Sequence, residues 1–461
     1  MRNRILGLDR NTPLLDGTEV RYVNLDNAAS TPPFIDVVNV VDRFMPYYSS
    51  VHRGTGFKSR LSTMVYDQSR ETIGRFVNAD PSINTVIFGK NATEAINKLS
   101  HRLPHSDECV VLTTILEHHS NDLPWRDHFR VVHVGNLPDG RLDERDFDRK
   151  LSEHKGRTAL VAVTGAANVT GFLPPIHRLA RKAHEAGSLI LIDAAQLAPH
   201  RRIDMKPDDH PEHLDFVILS AHKMYAPFGT GALIGPRQFF LDCGPDYSGG
   251  GTVNVVTPED VYWADLPERD EAGSPNVVGA LAMAKSARVL VGYGMDRIAE
   301  HERELTVYAL SRLKEVQGIR IYGESNPSAT DRIGVIPFNI DGIHHALLAA
   351  ILGYEGGIGV RSGCFCAHPY VVSLLELDQT EIDRWKSQFL AGNKSDMPGM
   401  VRMSLGCYSN EDDVDRLIDM LHRVVRGEYE GEYQVHEPTG EFFPIDYDEP
   451  FARYFSLEND N

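Results

Sequence analysis

The chain has 461 residues, of which 42% are hydrophobic and 24% charged, and its formal net charge is −18. That length exceeds one ordinary core and predicts two domains plus a terminal extension, while the composition fits an α/β globular protein rather than a disordered or fibrous one. The acidic excess excludes general affinity for nucleic acid phosphates or an anionic membrane surface, because both need clustered Lys and Arg.

In chain order, residues 1–10 carry charge but neither an apolar h-region nor a small-residue cleavage site, and no stretch reaches the roughly eighteen apolar residues of a membrane span. A cytoplasmic location is the expectation. After an N-terminal segment, 1–29, the residues Phe34, Val37, Val38, Val41 and Phe44 fall at helical spacing. Over 30–285 short apolar runs alternate with helical patterns, the rhythm of a mostly parallel sheet covered by helices. Strands are predicted at 86–88, 109–113, 131–134, 159–164, 189–192, 216–219 and 231–234, several apolar enough for burial on both faces. Four of them end in polar stretches: Gly89-Lys-Asn-Ala-Thr93, Thr164-Gly-Ala-Ala-Asn168, Asp193-Ala-Ala-Gln196 and Ser220-Ala-His-Lys223. Ligands of open parallel sheets bind at the carboxyl ends of the strands, so these four loops are predicted to meet at one crevice. A long helical stretch over 276–316 leads into a smaller α/β domain, 286–426, ending in the amphipathic helix Glu411–Val425. The acidic segment 427–461 is unusually aromatic for a solvated tail, with Tyr433, Phe442, Phe443, Tyr447, Phe451 and Tyr454 among its residues, and is predicted to dock on a surface or on a partner subunit.

Two strand ends carry chemistry. A lysine directly after an apolar strand, as Lys223 is, ordinarily means a solvated charge, and an aspartate at a strand end, as Asp193 is, ordinarily caps the next helix. Together they are the pair that pyridoxal phosphate (PLP) requires. The amine holds the cofactor as a Schiff base, and the carboxylate keeps the pyridine nitrogen protonated so that the ring accepts electrons.

With those residues in place, the chain resembles the fold-type I, class V aminotransferase-like PLP enzymes, and among them most the type II cysteine desulfurases and selenocysteine lyases, over about residues 22–426. The resemblance implies an α/β fold with a large, mostly parallel-sheet domain and a smaller C-terminal domain. It implies that Lys223 carries PLP, that Asp193 pairs with the pyridine nitrogen, that Gln196 bonds the phenolic oxygen, and that His118, in Glu117-His118-His119, stacks on the ring. Ala92 and Thr93 open a helix whose amides suit an anion. By the same resemblance they bind the cofactor phosphate, joined by Ser220 and His222. Asn168 would touch the substrate or the ring oxygen. Ser274 matches the position that reaches the phosphate of a neighbouring subunit, which implies a homodimer, and His52 and Arg53 match residues lining the substrate entrance. Taken alone, Thr93 reads as a helix cap and His52 and Arg53 as surface residues.

Five cysteines, Cys109, Cys243, Cys364, Cys366 and Cys407, are too sparse for a disulfide framework and agree with a reducing compartment. In Arg361-Ser-Gly-Cys364-Phe-Cys366-Ala-His368-Pro369 the pair is spaced wrongly for a structural zinc site, and no metal is expected. Cys366 falls on the family's persulfide-forming cysteine, and a loop thiol beside a cation such as Arg361 suits a thiolate nucleophile. Arg402 matches the arginine that grips the substrate α-carboxylate, a task suited to a planar guanidinium fork; its bland reading is a surface ion pair. The implied reaction takes sulfur from L-cysteine onto Cys366, releases alanine, and hands the sulfur to an acceptor protein or small thiol. Alternatives are another PLP carbon–sulfur lyase, a selenocysteine lyase or an amino-acid epimerase without a persulfide, or an inactive scaffold. Cys364 is additional to the family pattern. Arg-x-Gly-Cys-Phe-Cys resembles the PLP domain of molybdenum-cofactor sulfurases, which leaves the reactive thiol open between Cys364 and Cys366. The segment 374–400 is longer than the family pattern, and Ala226-Pro227 replaces its Gly-Pro.

Overall fold

The computed structural model describes residues 1–458 except 105, 243 and 327–330, so Cys243 lies outside the described residues. All seven predicted strands form, with bounds shifted by at most two residues: β1 (Asn84–Gly89), β2 (Val110–Thr114), β3 (Arg130–Val134), β4 (Thr158–Thr164), β5 (Leu189–Asp193), β6 (Phe216–Ser220) and β7 (Gly231–Pro236). They make one sheet in the order β1-β7-β6-β5-β4-β2-β3. Only β7 runs against its neighbours; the other pairings are parallel. The central strands are buried along their whole length because apolar layers cover both faces. Alternation assigns each side chain to a layer: Val161 and Val163 of β4 join one core, Leu160 and Ala162 the other.

The helical stretch predicted over 276–316 is two helices, Val277–Tyr293 and Met295–Leu313, bent by 75°. Gly294 makes the break because its φ of 104° is open to glycine and strained for any other residue. The second helix leads to a four-stranded antiparallel sheet of β8 (Ile319–Ile321), β9 (Val335–Ile340), β10 (Arg361–Gly363) and β11 (Met400–Ser404), ordered β8-β9-β11-β10. Its apolar layer packs on the helices His345–Gly356, Met295–Leu313 and Glu411–Val425. The buried Glu302 carboxylate ties the two sheets together by pairing with His200 at 2.7 Å and Arg201 at 2.6 Å and accepting from the Gly334 amide at 2.9 Å.

The aromatic tail folds on the chain's own small-sheet unit. Its hairpin, Tyr433–His436 with Glu441–Pro444, lies against the helix His345–Gly356. Tyr433 donates to Glu355 at 2.9 Å and Tyr354 to Glu449 at 2.8 Å. The long segment after Leu374 holds the helix Gln379–Leu390, started by a capping box of Asp378 and Glu381, and the Lys394 amide donates to the tail carbonyl of Glu437 at 2.8 Å. Among the described residues no single helix is long and apolar enough to cross a membrane.

Candidate active site

The four polar strand ends meet, as the parallel topology requires, around a cavity of about 530 Å³ lined by Ala92 and Thr93 after β1, Asn168 after β4, Asp193 and Gln196 after β5, and Ser220, His222 and Lys223 after β6. β6 ends at Ser220, and one 3₁₀ turn, Ala221–Lys223, swings the lysine into the crevice. The N-terminal segment clamps that turn. Thr31 donates from its amide and hydroxyl to the His222 carbonyl, at 2.9 and 3.1 Å, and accepts from the Tyr225 amide at 2.7 Å.

Lys223 Nζ donates to Gln196 Oε1 at 3.1 Å. Burial lowers its pKa to about 8, helped by the charge of Arg402 and opposed by Asp193, Cys366 and Asp26. The same burial, with Lys223 beside them, holds His118 down at about 3 and His222 at about 4, so both rings are neutral. His118 accepts the Ser120 amide at Nδ1, 3.1 Å, which leaves its proton on Nε2. Glu117 anchors that loop to β4: fully buried and pushed up to about 8 by desolvation, it accepts from Thr114 at 2.7 Å, Asn121 at 2.7 Å and the Thr164 amide at 2.9 Å.

The residues fit PLP. Asp193 is 5% exposed and commits Oδ1 to the Ala195 amide at 3.0 Å, and it lines the cavity, so its second oxygen suits a ring N–H. Buried Ser220 Oγ and Asn168 Oδ1 have no protein partner, a costly state that bound phosphate and ring or substrate groups would relieve. Thr93 Oγ1 lies 2.7 Å from Ser120 Oγ at the start of the helix Ala92–Ser100, whose cap is Asn91. β7 passes directly beneath that cap: a Cβ on Gly231 would sit 2.4 Å from the Asn91 carbonyl carbon. Gly231→Ala is therefore expected to push the helix start outward, destabilising the fold by about 1–3 kcal/mol and loosening the cofactor. Thermal unfolding and cofactor retention on gel filtration would show both; two unchanged values would mean that the strand simply yields.

The sulfur loop closes the outer side. Phe365 and Cys366 both take a left-handed φ of 53°, a conformation that costs about 1–2 kcal/mol per residue and must be held by its surroundings. Asn168 donates to the Phe365 carbonyl at 2.8 Å, the His119 amide to the Cys366 carbonyl at 2.7 Å, and the Ala367 amide to the Cys364 carbonyl at 2.8 Å. Cys366 is exposed at the cavity, whereas Cys364 donates to the Pro398 carbonyl at 3.2 Å and burial pushes its thiol up to about 12. The four described cysteines are all free.

Arg402, 2% exposed, is a buried cation rather than half of a surface pair. It donates to the Asn168 carbonyl at 2.9 Å and to Asp26 at 3.1 Å, lies over the Phe365 ring, and keeps Nε without a protein partner. Arg361 stands 3.6 Å from the other oxygen of Asp26. Asp26 lies in Asn24–Thr31, a stretch that resembles an N-terminal site loop of the family, but it was not itself singled out as a site residue. Its signal lay in Asn24-Leu-Asp26-Asn, a polar interruption between Val23 and Ala28, both buried.

Three expected residues stay outside the chain's own crevice. Ser274, His52 and Arg53 gather in a second hollow of about 360 Å³. There the His52 amide donates to Thr63 Oγ1 at 2.9 Å and the Arg53 guanidinium to the Val253 carbonyl. Within a single chain His52 and Arg53 line this hollow rather than the crevice, because the first bond ties the loop to the helix Phe57–Phe76 and the second ties it to Val253. The entrance is walled by Trp385, Lys394 and Met397 from the long segment after Leu374, whose extra length suggested a remodelled entrance, and by residues the sequence did not indicate: His344 and His345, and Thr439, Gly440 and Glu441 from the tail hairpin. His119, His368 and Trp385 form a ladder of rings, with centroids 4.8 and 5.4 Å apart, beside the sulfur loop.

The profile of the aminotransferase class-V family matches residues 23–417. A probable cysteine desulfurase of Staphylococcus aureus (strain COL) is 33% identical over 427 residues, which cover 89% of this chain and 94% of that protein; one from Halalkalibacterium halodurans is 32% identical over 427 residues, 89% and 96% of the two chains. The apo structure of a cysteine desulfurase from Thermococcus onnurineus NA1 matches with a TM-score of 0.78 at 29% identity, covering 92% of this chain and 99% of that one. The cysteine desulfurase CsdA of Escherichia coli, in an S-sulfonic acid form, matches at 0.75 with 25% identity, covering 92% and 97%. This family is typically PLP-dependent, and the strand-end lysine, the buried aspartate and the arginine found here are the groups such chemistry uses. The chain belongs to the aminotransferase class-V family, as a cysteine-desulfurase-like enzyme.

Proposed function

We propose that the enzyme is a PLP-dependent cysteine desulfurase that moves the sulfur of L-cysteine onto Cys366 and releases alanine. The observation that carries this reading is the exposed Cys366 on a turn bonded to both Asn168 and His119, within electrostatic reach of Lys223 and Arg402. Lys223, Asp193, Gln196, His118, Ala92, Thr93, Ser220 and His222 would hold the cofactor. When bound, PLP supplies an electron sink for the substrate α-carbon.

The chain's own groups do the rest. The Arg402 fork orients the amino acid by its carboxylate. Lys223, whose amine ionises near 8, takes the α-proton and returns a proton to carbon. His118, with its proton on Nε2, is among the residues that would hold the cofactor ring. The Cys366 thiolate attacks the substrate sulfur: an S–S bond forms, the C–S bond breaks, and its electron pair stays with the carbon fragment, which is protonated to alanine. The balance is L-cysteine plus a protein thiol giving L-alanine plus a protein persulfide. Cys364 stays a protonated thiol, bonded to Pro398, and takes no part.

Alkylation after incubation with L-cysteine, followed by peptide mass measurement, tests this. One extra sulfur is expected on Cys366 in the wild type and in Cys364→Ala, and neither persulfide nor alanine is expected from Cys366→Ala. Alanine formed at the wild-type rate by Cys366→Ala would replace the reading with a carbon–sulfur lyase that needs no persulfide.

The hollow holding Ser274, His52 and Arg53 supports a homodimer in which Ser274 reaches the partner's cofactor phosphate, as the family resemblance implies, with His52 and Arg53 beside it. The enzyme is then expected to sediment as a dimer, with Ser274→Ala weakening cofactor retention. A monomer with full cofactor content would contradict it.

A further inference from the structure

At the opposite end of the large sheet, where β5 and β6 begin, a second set of ligand atoms converges that desulfurase chemistry does not use. His184 lies near the end of the helix Ile176–Glu185 that feeds β5, and Asp215 immediately precedes β6 with His213 two residues earlier. The ligating atoms of these three residues all lie within 4.8 Å of one another. His184 Nε2 is 2.9 Å from Asp215 Oδ2, and His213 Nε2 is 3.3 Å from Asp215 Oδ1 and 3.8 Å from Asp208 Oδ1. Ligands at bonds of about 2.0–2.1 Å around a tetrahedral Zn²⁺ stand about 3.3 Å apart; the His184–Asp215 and His213–Asp215 separations of 2.9 and 3.3 Å are on that scale, and the exposed Asp208, outside that group of three, would turn in beside His213.

The hydrogen bonds around the cluster give it a direction. His184 Nδ1 lies 3.0 Å from the Pro211 carbonyl and His213 Nδ1 lies 2.8 Å from the His210 carbonyl. A carbonyl only accepts, so each Nδ1 carries a proton, and in a neutral ring each Nε2 is then a bare lone pair. Both lone pairs face a carboxylate, which is itself only an acceptor. A proton would satisfy one ring. Hydrogen bonds to Asp215 raise the pKa of both rings, but a proton on each places two like charges face to face, since the rings stack with centroids 4.1 Å apart and the charge of His213 works against that of His184. One shared cation satisfies all three groups at once. Metal-bound histidines almost always donate their other ring N–H to a carbonyl or carboxylate, as both do here. Asp215 is 6% exposed and is held in place by the Ile190 amide at 2.8 Å.

We propose that His184, His213 and Asp215, with Asp208 as the fourth ligand, bind a divalent transition-metal cation, Zn²⁺ by the preference of mixed imidazole and carboxylate donors. With four protein ligands the site is structural. It fastens the 208–215 segment to the preceding helix, beneath the strand whose far end carries Lys223. The sequence signal was Asp208-Asp-His-Pro-Glu-His213-Leu-Asp215, in which the donors are histidines and aspartates rather than the cysteines that usually mark zinc. This inference is independent of the desulfurase reading.

The test uses the full-length enzyme as purified, stripped with a chelator and titrated with Co²⁺ and then Zn²⁺. One equivalent of Co²⁺ is expected to bind saturably with visible d–d bands and no thiolate-to-cobalt charge-transfer band, to be displaced by Zn²⁺, and the Zn²⁺ form should melt at a higher temperature than the stripped form. His213→Gln is expected to lose more than the roughly 10–100-fold in affinity that removing an outer-shell partner costs, and Cys366→Ala should bind as the wild type does. Because misfolding alone would also weaken binding by His213→Gln, Asp208→Asn, a change to an exposed side chain, serves as the second variant and should also bind more weakly. Absence of saturable binding, binding unaltered by both variants, or binding lost in Cys366→Ala would overturn the proposal.

Discussion

Lys223→Ala is expected to remove the cofactor absorbance that borohydride reduction would otherwise fix to the protein, and with it all measurable turnover. Two functions disappear together: the covalent hold on PLP, and a proton transfer that by itself is worth about 10²–10⁴-fold. Added primary amine would restore a trace of activity at most, because it supplies the proton acceptor without the placement that the turn Ala221–Lys223 provides. The wild-type lysine also makes a pH prediction with a definite sign. Only the neutral amine condenses with PLP, and burial brings this amine from an ordinary 10.5 down to about 8. Uptake of PLP by the apo-enzyme is therefore expected to rise about tenfold per unit while the pH is below that value and to level off above it. A stopped-flow series across pH would check this. A rate that keeps climbing into the ordinary lysine range would show that the amine is not desolvated.

Arg402→Gln is expected to cost the second largest effect. Truncating one partner of a buried, hydrogen-bonded charge pair costs roughly 2–5 kcal/mol, which corresponds to about 30-fold to 5,000-fold in kcat/KM. The loss should fall chiefly on KM for L-cysteine. Arg402→Lys would recover part of it, since an ammonium keeps the charge but not the fork. Asp26 reports on the same change: burial already raises its pKa, and Arg402 is the largest force holding it down, so its carboxyl should protonate more readily in the variant. Because Arg402 also bonds the Asn168 carbonyl, some stability will be lost as well. Cysteamine, which has no carboxylate, separates the two roles: its binding should differ little between wild type and variant if Arg402 grips the carboxylate. Equal losses for both ligands would reduce the arginine to a structural part.

Much of this site was legible before any coordinates. β1, β4, β5 and β6 are short apolar runs that end abruptly in polar residues; parallel pairing brings the ends of β4, β5 and β6 to one edge of the sheet, and β1 joins them through its antiparallel neighbour β7. That is why Lys223, Asp193, Gln196 and Asn168 could be placed from local pattern and order. The choice between Cys364 and Cys366 was not legible, because both sit in the same nine-residue stretch, Arg361–Pro369. It turns on the Pro398 carbonyl, which comes from a segment 34 residues away and bonds one thiol and not the other.

The amino-acid order by itself determined the elements, the direction of the sheet and the residue types at its carboxyl edge, because periodicity and strand-end chemistry are local properties. The tertiary structure alone decided what surrounds them. It buried Arg402 against an aspartate 376 residues earlier in the chain, carried Ser274, His52 and Arg53 to a separate hollow, turned the aromatic tail back to wall the entrance, and brought His184 within 2.9 Å of Asp215 at the far end of the sheet. These are contacts between distant segments, selected by the packing of whole layers, and no short window of sequence contains the free energy that sets them.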